Sequence, residues 1–282
     1  MKKLIYILTI SFLILGCEDV IDVDLQSEEP RLIIDALIRI DESNPVTLVQ
    51  VKVLESSSFF EEPMPTQLTQ ITIDNLDNPI VPRGILLETV PGSGIYEKEI
   101  ATSFLTSGNL LLQIEHEGNI YLARTSYRKT NDFNSIVQGD GNLFGEDETE
   151  VIVNFTDIPN EDNFYLLDFD FNEYIVTEDT FYRGQDFVFS FFYDDELNAG
   201  QEVTVGILGV DEDFYNYMDQ LIVQSGDDFG PFATPAATVR GNFINVTDID
   251  NIDSFDNLDN ANNFALGYFA VCQTFTQNIT IE

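Results

Sequence analysis

From Arg31 onward the chain alternates. Residues 32–38 (Leu-Ile-Ile-Asp-Ala-Leu-Ile) and 46–54 (Val-Thr-Leu-Val-Gln-Val-Lys-Val-Leu) are rich in branched side chains, and Asp41-Glu42-Ser43-Asn44-Pro45 parts them. A period of two lines one face of a strand, so this pair reads as a β-hairpin. Residues 68–73, 84–89, 95–100, 110–116 and 119–127 repeat the pattern, with Pro91-Gly92-Ser93-Gly94 and Glu117-Gly118-Asn119 as turns. About seven short strands at this spacing predict an immunoglobulin-like β-sandwich over residues 30–128, although the Cys and Trp of antibody domains are missing.

Residues 129–149 lose the period. They hold Gly139-Asp140-Gly141-Asn142 and Gly145-Glu146-Asp147-Glu148, the composition of a linker or long loop. A second β domain is expected over residues 150–282, with strands at 150–155, 163–171, 185–192 and 201–208. The run Phe187-Val188-Phe189-Ser190-Phe191-Phe192 supplies rings for a thick core rather than a ligand platform. One helix is expected at 211–224: Asp211 caps it, Glu212 and Asp213 suit its positive end, and Gly226 suits its stop. Phe214, Tyr217, Met218, Leu221 and Ile222 fall on one face, which should meet the core. The predicted fold class is therefore mainly β, with two β-sandwich-like domains, the first immunoglobulin-like and the second carrying one α-helix.

The start of the chain has a different logic. Met1-Lys2-Lys3 precedes an apolar stretch from Leu4 to Leu15, and Ile14-Leu15-Gly16-Cys17 has the form of a lipobox. Thirteen residues from Leu4 to Gly16 would rise roughly 20 Å as a helix, against about 30 Å of hydrocarbon, so the segment is too short to span. Residues 1–16 read as a lipoprotein signal peptide, and Cys17 as the site of lipid attachment. Glu18 and Asp19 open an acidic tether over residues 17–29 and resemble an export signal to the cell surface.

Charge and residue inventory restrict the chemistry. Without residues 1–16 the chain carries 10 basic against 50 acidic side chains, a net charge near −40. Nucleic acid is excluded as a partner, because phosphate binding needs clustered Lys and Arg. Hydrophobic content of 44%, with 23 Phe and 11 Tyr, is enough for a core despite the charge. Cys272, in the apolar run Phe269-Ala270-Val271-Cys272, has no disulfide partner once Cys17 carries lipid, and is expected as a buried free thiol.

Catalytic arrangements are poorly supplied. The single histidine, His116, ends an alternating segment before Gly118 and is expected at the surface. One histidine and one unlipidated cysteine do not make a zinc site. Fifty acids offer many carboxylate pairs for glycoside hydrolysis and single out none, and the absence of Trp weakens a sugar platform. Calcium has a better sequence candidate. Residues 247–260 bring Asp248, Asp250, Asp253, Asp256 and Asp259 together with Asn and Ser oxygens, which suits a hard cation, although the spacing is not that of an EF-hand. A solvated acidic loop is the competing reading; calcium binding requires that EDTA lower the melting temperature.

The order of several segments carries a resemblance. Cys17 with its acidic start, Glu29-Pro30-Arg31-Leu32-Ile33-Ile34-Asp35, Phe214-Tyr215-Asn216-Tyr217 and Pro231-Phe232-Ala233-Thr234-Pro235 are followed by Gly241-Asn242 and Asn263-Phe264-Ala265-Leu266-Gly267-Tyr268-Phe269. Together they resemble a Bacteroidota outer-membrane lipoprotein family known as domain of unknown function 4249. The resemblance implies an outer-membrane lipoprotein, often encoded beside TonB-dependent transporters, with no activity to carry over. The expectation is a surface-exposed, lipid-anchored and non-catalytic binding or accessory subunit of such a transporter. A stand-alone adhesin or structural lipoprotein stiffened by calcium is the alternative, and a carboxylate-based hydrolase the third reading.

Overall fold

The computed structural model describes residues 30–57, 61–78, 83–143, 148–193, 197–225, 237–249 and 263–282. Alternation becomes strands through most of this length. The first half holds β1 (Leu32–Ile40), β2 (Val46–Glu55), β3 (Met64–Pro65), β4 (Gln70–Asn75), β5 (Gly84–Ile85), β6 (Leu87–Glu88), β7 (Ile95–Ala101), β8 (Asn109–His116) and β9 (Asn119–Ser126). The second holds β10 (Phe133–Gln138), β11 (Thr149–Thr156), β12 (Phe164–Asp168), β13 (Tyr174–Glu178), β14 (Asp186–Tyr193), β15 (Glu202–Val210), β16 (Ile244–Asn245) and β17 (Leu266–Thr280). Among the described residues the helices are Thr102–Leu105 and Glu212–Ser225, with a 3₁₀ turn at Asp179–Phe181. No helix among the described residues is long and apolar enough to cross a membrane.

Three sheets organise the strands. Nine form one sheet in the order β13-β12-β15-β17-β1-β2-β7-β6, with β3 on β2; five form β16-β9-β8-β4-β5, and three form β10-β11-β14. The five-stranded sheet lies over the β1-β2-β7 region, with Leu32, Ile34, Ile38, Val49, Val51, Ile73, Leu110, Leu112 and Ile114 in one core between them. These are the alternate positions that the period of two placed on one face. The three-stranded sheet covers the other half through Val151, Val153, Phe155, Tyr165, Leu167, Val203 and Val205.

β17 ties the halves together. Its residues Leu266 to Gln273 pair in parallel with β1, and Thr274 to Thr280 pair antiparallel with β15. Phe269 and Val271 enter the first core, whereas Phe275 and Ile279 pack against the second. Tyr268, Ala270 and Cys272 point to a third cluster, where the helix Glu212–Ser225 lays Phe214 and Met218 on the opposite sheet face. The expected division at 129–149 therefore does not separate two sheets: the first half takes a strand from beyond residue 265.

Several expectations change in detail. The segment expected as a linker or long loop contains β10, because Phe133 and Ile136 turn inward and the strand pairs with β11. Residues 84–89 make two short strands in different sheets rather than one. The strand expected at 163–171 stops at Asp168, since Asp170, Phe171 and Asn172 take positive φ values of 65°, 50° and 66° and reverse the chain into β13. The helix sits at Glu212–Ser225, and Asp211 Oδ1 accepts the Phe214 N–H at 2.9 Å as its cap. Its stripe is shallower than expected, because Leu221 stays exposed.

Candidate functional site

A cleft of about 350 Å³ opens at the edge where the two layers of the first half part. One wall is the strap of residues 84–88. β5 pairs with β4 in the five-stranded sheet, the Leu86 N–H bonds the Ile71 carbonyl at 3.1 Å, and β6 then pairs with β7 in the nine-stranded sheet. Gly84 permits this crossing: a Cβ there would sit 2.7 Å from Ile73 Cγ2 and 2.8 Å from Ile100 Cδ1. Leu86 is buried as a plug, while Ile85 and Leu87 keep 42% and 66% of their surface exposed.

Residues 67–71 form the facing wall, held by groups from both sheets. The Tyr96 hydroxyl accepts the Leu68 N–H at 2.7 Å and donates to the Thr66 carbonyl at 3.2 Å. Burial pushes this phenol up from its ordinary value, so it stays neutral and fills both roles. His116 Nδ1 lies 3.2 Å from the Gln67 carbonyl, which only accepts, so that nitrogen carries the proton and donates. Thr69 N–H bonds the Glu115 carbonyl at 2.9 Å. His116 is thus buried, contrary to its expected surface place: it shares the inward parity of Leu110, Leu112 and Ile114.

Chemically the cleft offers shape and a mixed surface, with Gln67, Thr69, Gln70 and Glu88 beside its apolar residues. Leu68, Ile71, Ile85 and Leu87 line it, and Glu88 spends Oε1 on the Gly94 N–H at 2.9 Å. Tyr96 lines the cleft and His116 lies outside its lining, and both bond the backbone of the wall. No group of three or more His, Cys, Asp or Glu side chains among the described residues is placed to hold a metal ion.

The residues singled out by sequence fall elsewhere. Cys17, Glu18 and Asp19 lie outside the described residues, as do Asp250, Asp253, Asp256 and Asp259. Asp248 is described and exposed, just after Thr247, whose hydroxyl accepts the Ile120 N–H at 2.9 Å. Cys272 is buried and free, and burial followed by the nearby Asp211 charge pushes its thiol up. Tyr96, Ile85 and Leu87 were not singled out; the usable signal was Gly84 interrupting an alternating run, a mark of close backbone approach.

Comparison with known proteins gives a family. The model of a family described as "Domain of unknown function (DUF4249)" matches residues 18–278. No curated protein matches the chain.

Proposed function

The chain belongs to the DUF4249 family, which leaves its work open, and we propose that it is a lipid-anchored, non-catalytic binding protein of the outer membrane, accessory to a TonB-dependent transporter. The observation that carries the binding half is the cleft, whose wall Tyr96 and His116 hold by hydrogen bonds to the backbone and whose lining sets Leu68, Ile71, Ile85 and Leu87 beside Gln67, Thr69, Gln70 and Glu88. The anchoring half is supported by the sequence up to Cys17 and by the acidic residues that follow. In the same reading the two layered halves are sandwich-like domains, the first immunoglobulin-like, which share β17.

The test uses the full-length protein in its native membrane. After gentle crosslinking and detergent extraction, affinity capture should bring down a β-barrel, and Cys17→Ser should move the protein to the soluble fraction with its melting temperature unchanged. Leu87→Glu should weaken barrel capture, while shifting stability by no more than about 0.5 kcal/mol at this exposed position. Membrane retention of the Cys17→Ser protein overturns the anchor; capture without any barrel overturns the accessory role.

A further inference from the structure

Among the described residues, no strand pairs with the outer edge of β14. β11 and β14 pair antiparallel from Thr149↔Tyr193 to Thr156↔Asp186, and the Asp157 N–H continues that register to the Gln185 carbonyl at 3.0 Å. Bonded and non-bonded pairs alternate in such a ladder, so Phe187, Phe189, Phe191 and Tyr193 face β11 with their N–H and C=O groups. The other side of β11 obeys the same parity, since the Gly139 N–H reaches the Glu150 carbonyl at 3.0 Å. Val188, Ser190 and Phe192 consequently turn their main-chain groups outward, and none of these has a hydrogen-bond partner among the described residues.

This edge lacks the devices that guard the others. β3, β5, β6 and β16 have two residues each, β13 has five, and β10 has an irregular register between Phe133 and Ser135. β14 runs for eight residues without Pro, Lys or Arg, and its pairing shows no bulge. Phe187, Phe189 and Phe191 are half-buried along it. Their rings form a shelf with Tyr182 and Phe169: Tyr182 stacks on Phe187 at 4.1 Å, and Phe169 on Phe191 at 4.0 Å. A strand added here would rest alternate side chains on that shelf.

Charge selects the occupant. Asp186 opens the strand, and the charges of Asp170 and Glu173 bear on the Tyr193 phenol at the other end. A second copy laid antiparallel would set Asp186 of each chain toward the acids beside Tyr193 of the other, on molecules of formal net charge −38. Such pairing is opposed at both ends. We propose that the outer edge of β14 binds an extended segment of a partner protein by strand addition, a segment with alternating apolar side chains and Lys or Arg at both ends. The inference deepens the binding reading by naming the partner's form, and the site does not involve the lipid anchor.

The test measures peptide binding to the full-length protein in detergent by fluorescence anisotropy. The probe is a labelled peptide of about nine residues, enough to pair along the strand, with alternating Val and Thr and a Lys at each end. It should bind saturably; exchanging both Lys for Glu, or methylating the alternate backbone nitrogens, should weaken binding about tenfold or more. Val188→Pro removes only an outward N–H group, and Ser190→Pro removes one together with the hydroxyl that donates to Glu150 Oε1; both should keep the fold and lose binding by a similar factor, whereas Ser190→Ala, which loses the hydroxyl alone, should bind as the parent does. Equal binding of the methylated peptide or of folded proline variants overturns strand addition, and equal binding of the Glu peptide overturns the charge selection. A dimer that Ser190→Pro dissociates would replace the proposed occupant with a second copy. Peptide binding by a protein that captures no barrel would leave this site standing and sink the accessory role alone.

Discussion

At the scale of single residues, the tightest fit lies where β17 meets β1. Gly267 has φ +98°, and a Cβ there would stand 1.9 Å from the Ile34 carbonyl oxygen. Gly241 approaches the same strand, its hypothetical Cβ 1.6 Å from the Gly267 oxygen. Beside it the Asn242 amide donates to the Phe269 and Arg124 carbonyls at 2.9 and 3.1 Å and accepts the Phe269 N–H at 2.8 Å. Backbone contact replaces side-chain packing here. Gly267→Ala should cost about 3 kcal/mol, from strain and overpacking together, in denaturant unfolding; a loss below about 1 kcal/mol would mean that the strands tolerate separation. These positions stood out in sequence only through resemblance, because main chain pressed on main chain leaves no hydrophobic period to read.

At the scale of elements, alternation made most strands legible to within a few residues. What it missed are the places where the chain changes sheet or direction. The reversal after Asp168 has no Gly or Pro; it rests on Asp170, Phe171 and Asn172 in left-handed conformations, and only Asp and Asn accept these readily. The cleft was hidden for a related reason, since residues 84–88 look like one strand and divide at Leu86 between two sheets. The helix was plain, with its acid start and apolar stripe. Asp211→Ala should lower stability by about 1 kcal/mol through loss of the cap, read from the shift in the urea midpoint. Removing residues 264–282 is a harsher change, because β17 bonds β1 and β15 and fills three cores. That truncation should abolish cooperative unfolding in both halves; a protease-resistant fragment covering residues 30–128 would show that the first half stands without β17.

For the whole molecule, pH has a defined direction. Burial pushes the phenols of Tyr165, Tyr182, Tyr193 and Tyr268 far above their ordinary value, with the Asp157 hydrogen bond adding to the effect at Tyr165. The unfolded chain ionises these groups near pH 10, whereas the folded chain holds their protons to higher pH. Their contribution is therefore complete below about pH 10 and declines as pH rises beyond it. Unfolding free energies measured upward from pH 9 should fall beyond that point, with buried tyrosinate absorbance appearing only as the fold is lost. Tyrosine titration complete near pH 10 with native circular dichroism would contradict this account.

The place of β17 also sets an order of events. Every strand it joins precedes it, and its pairing with β1 spans more than two hundred residues of chain. A polypeptide delivered from its N-terminal side, by a ribosome or through a membrane, has no partner for the exposed edge of β1 until that late strand arrives. Completion is thereby deferred: the chain stays pliable in transit, and one closing stroke makes three cores permanent together.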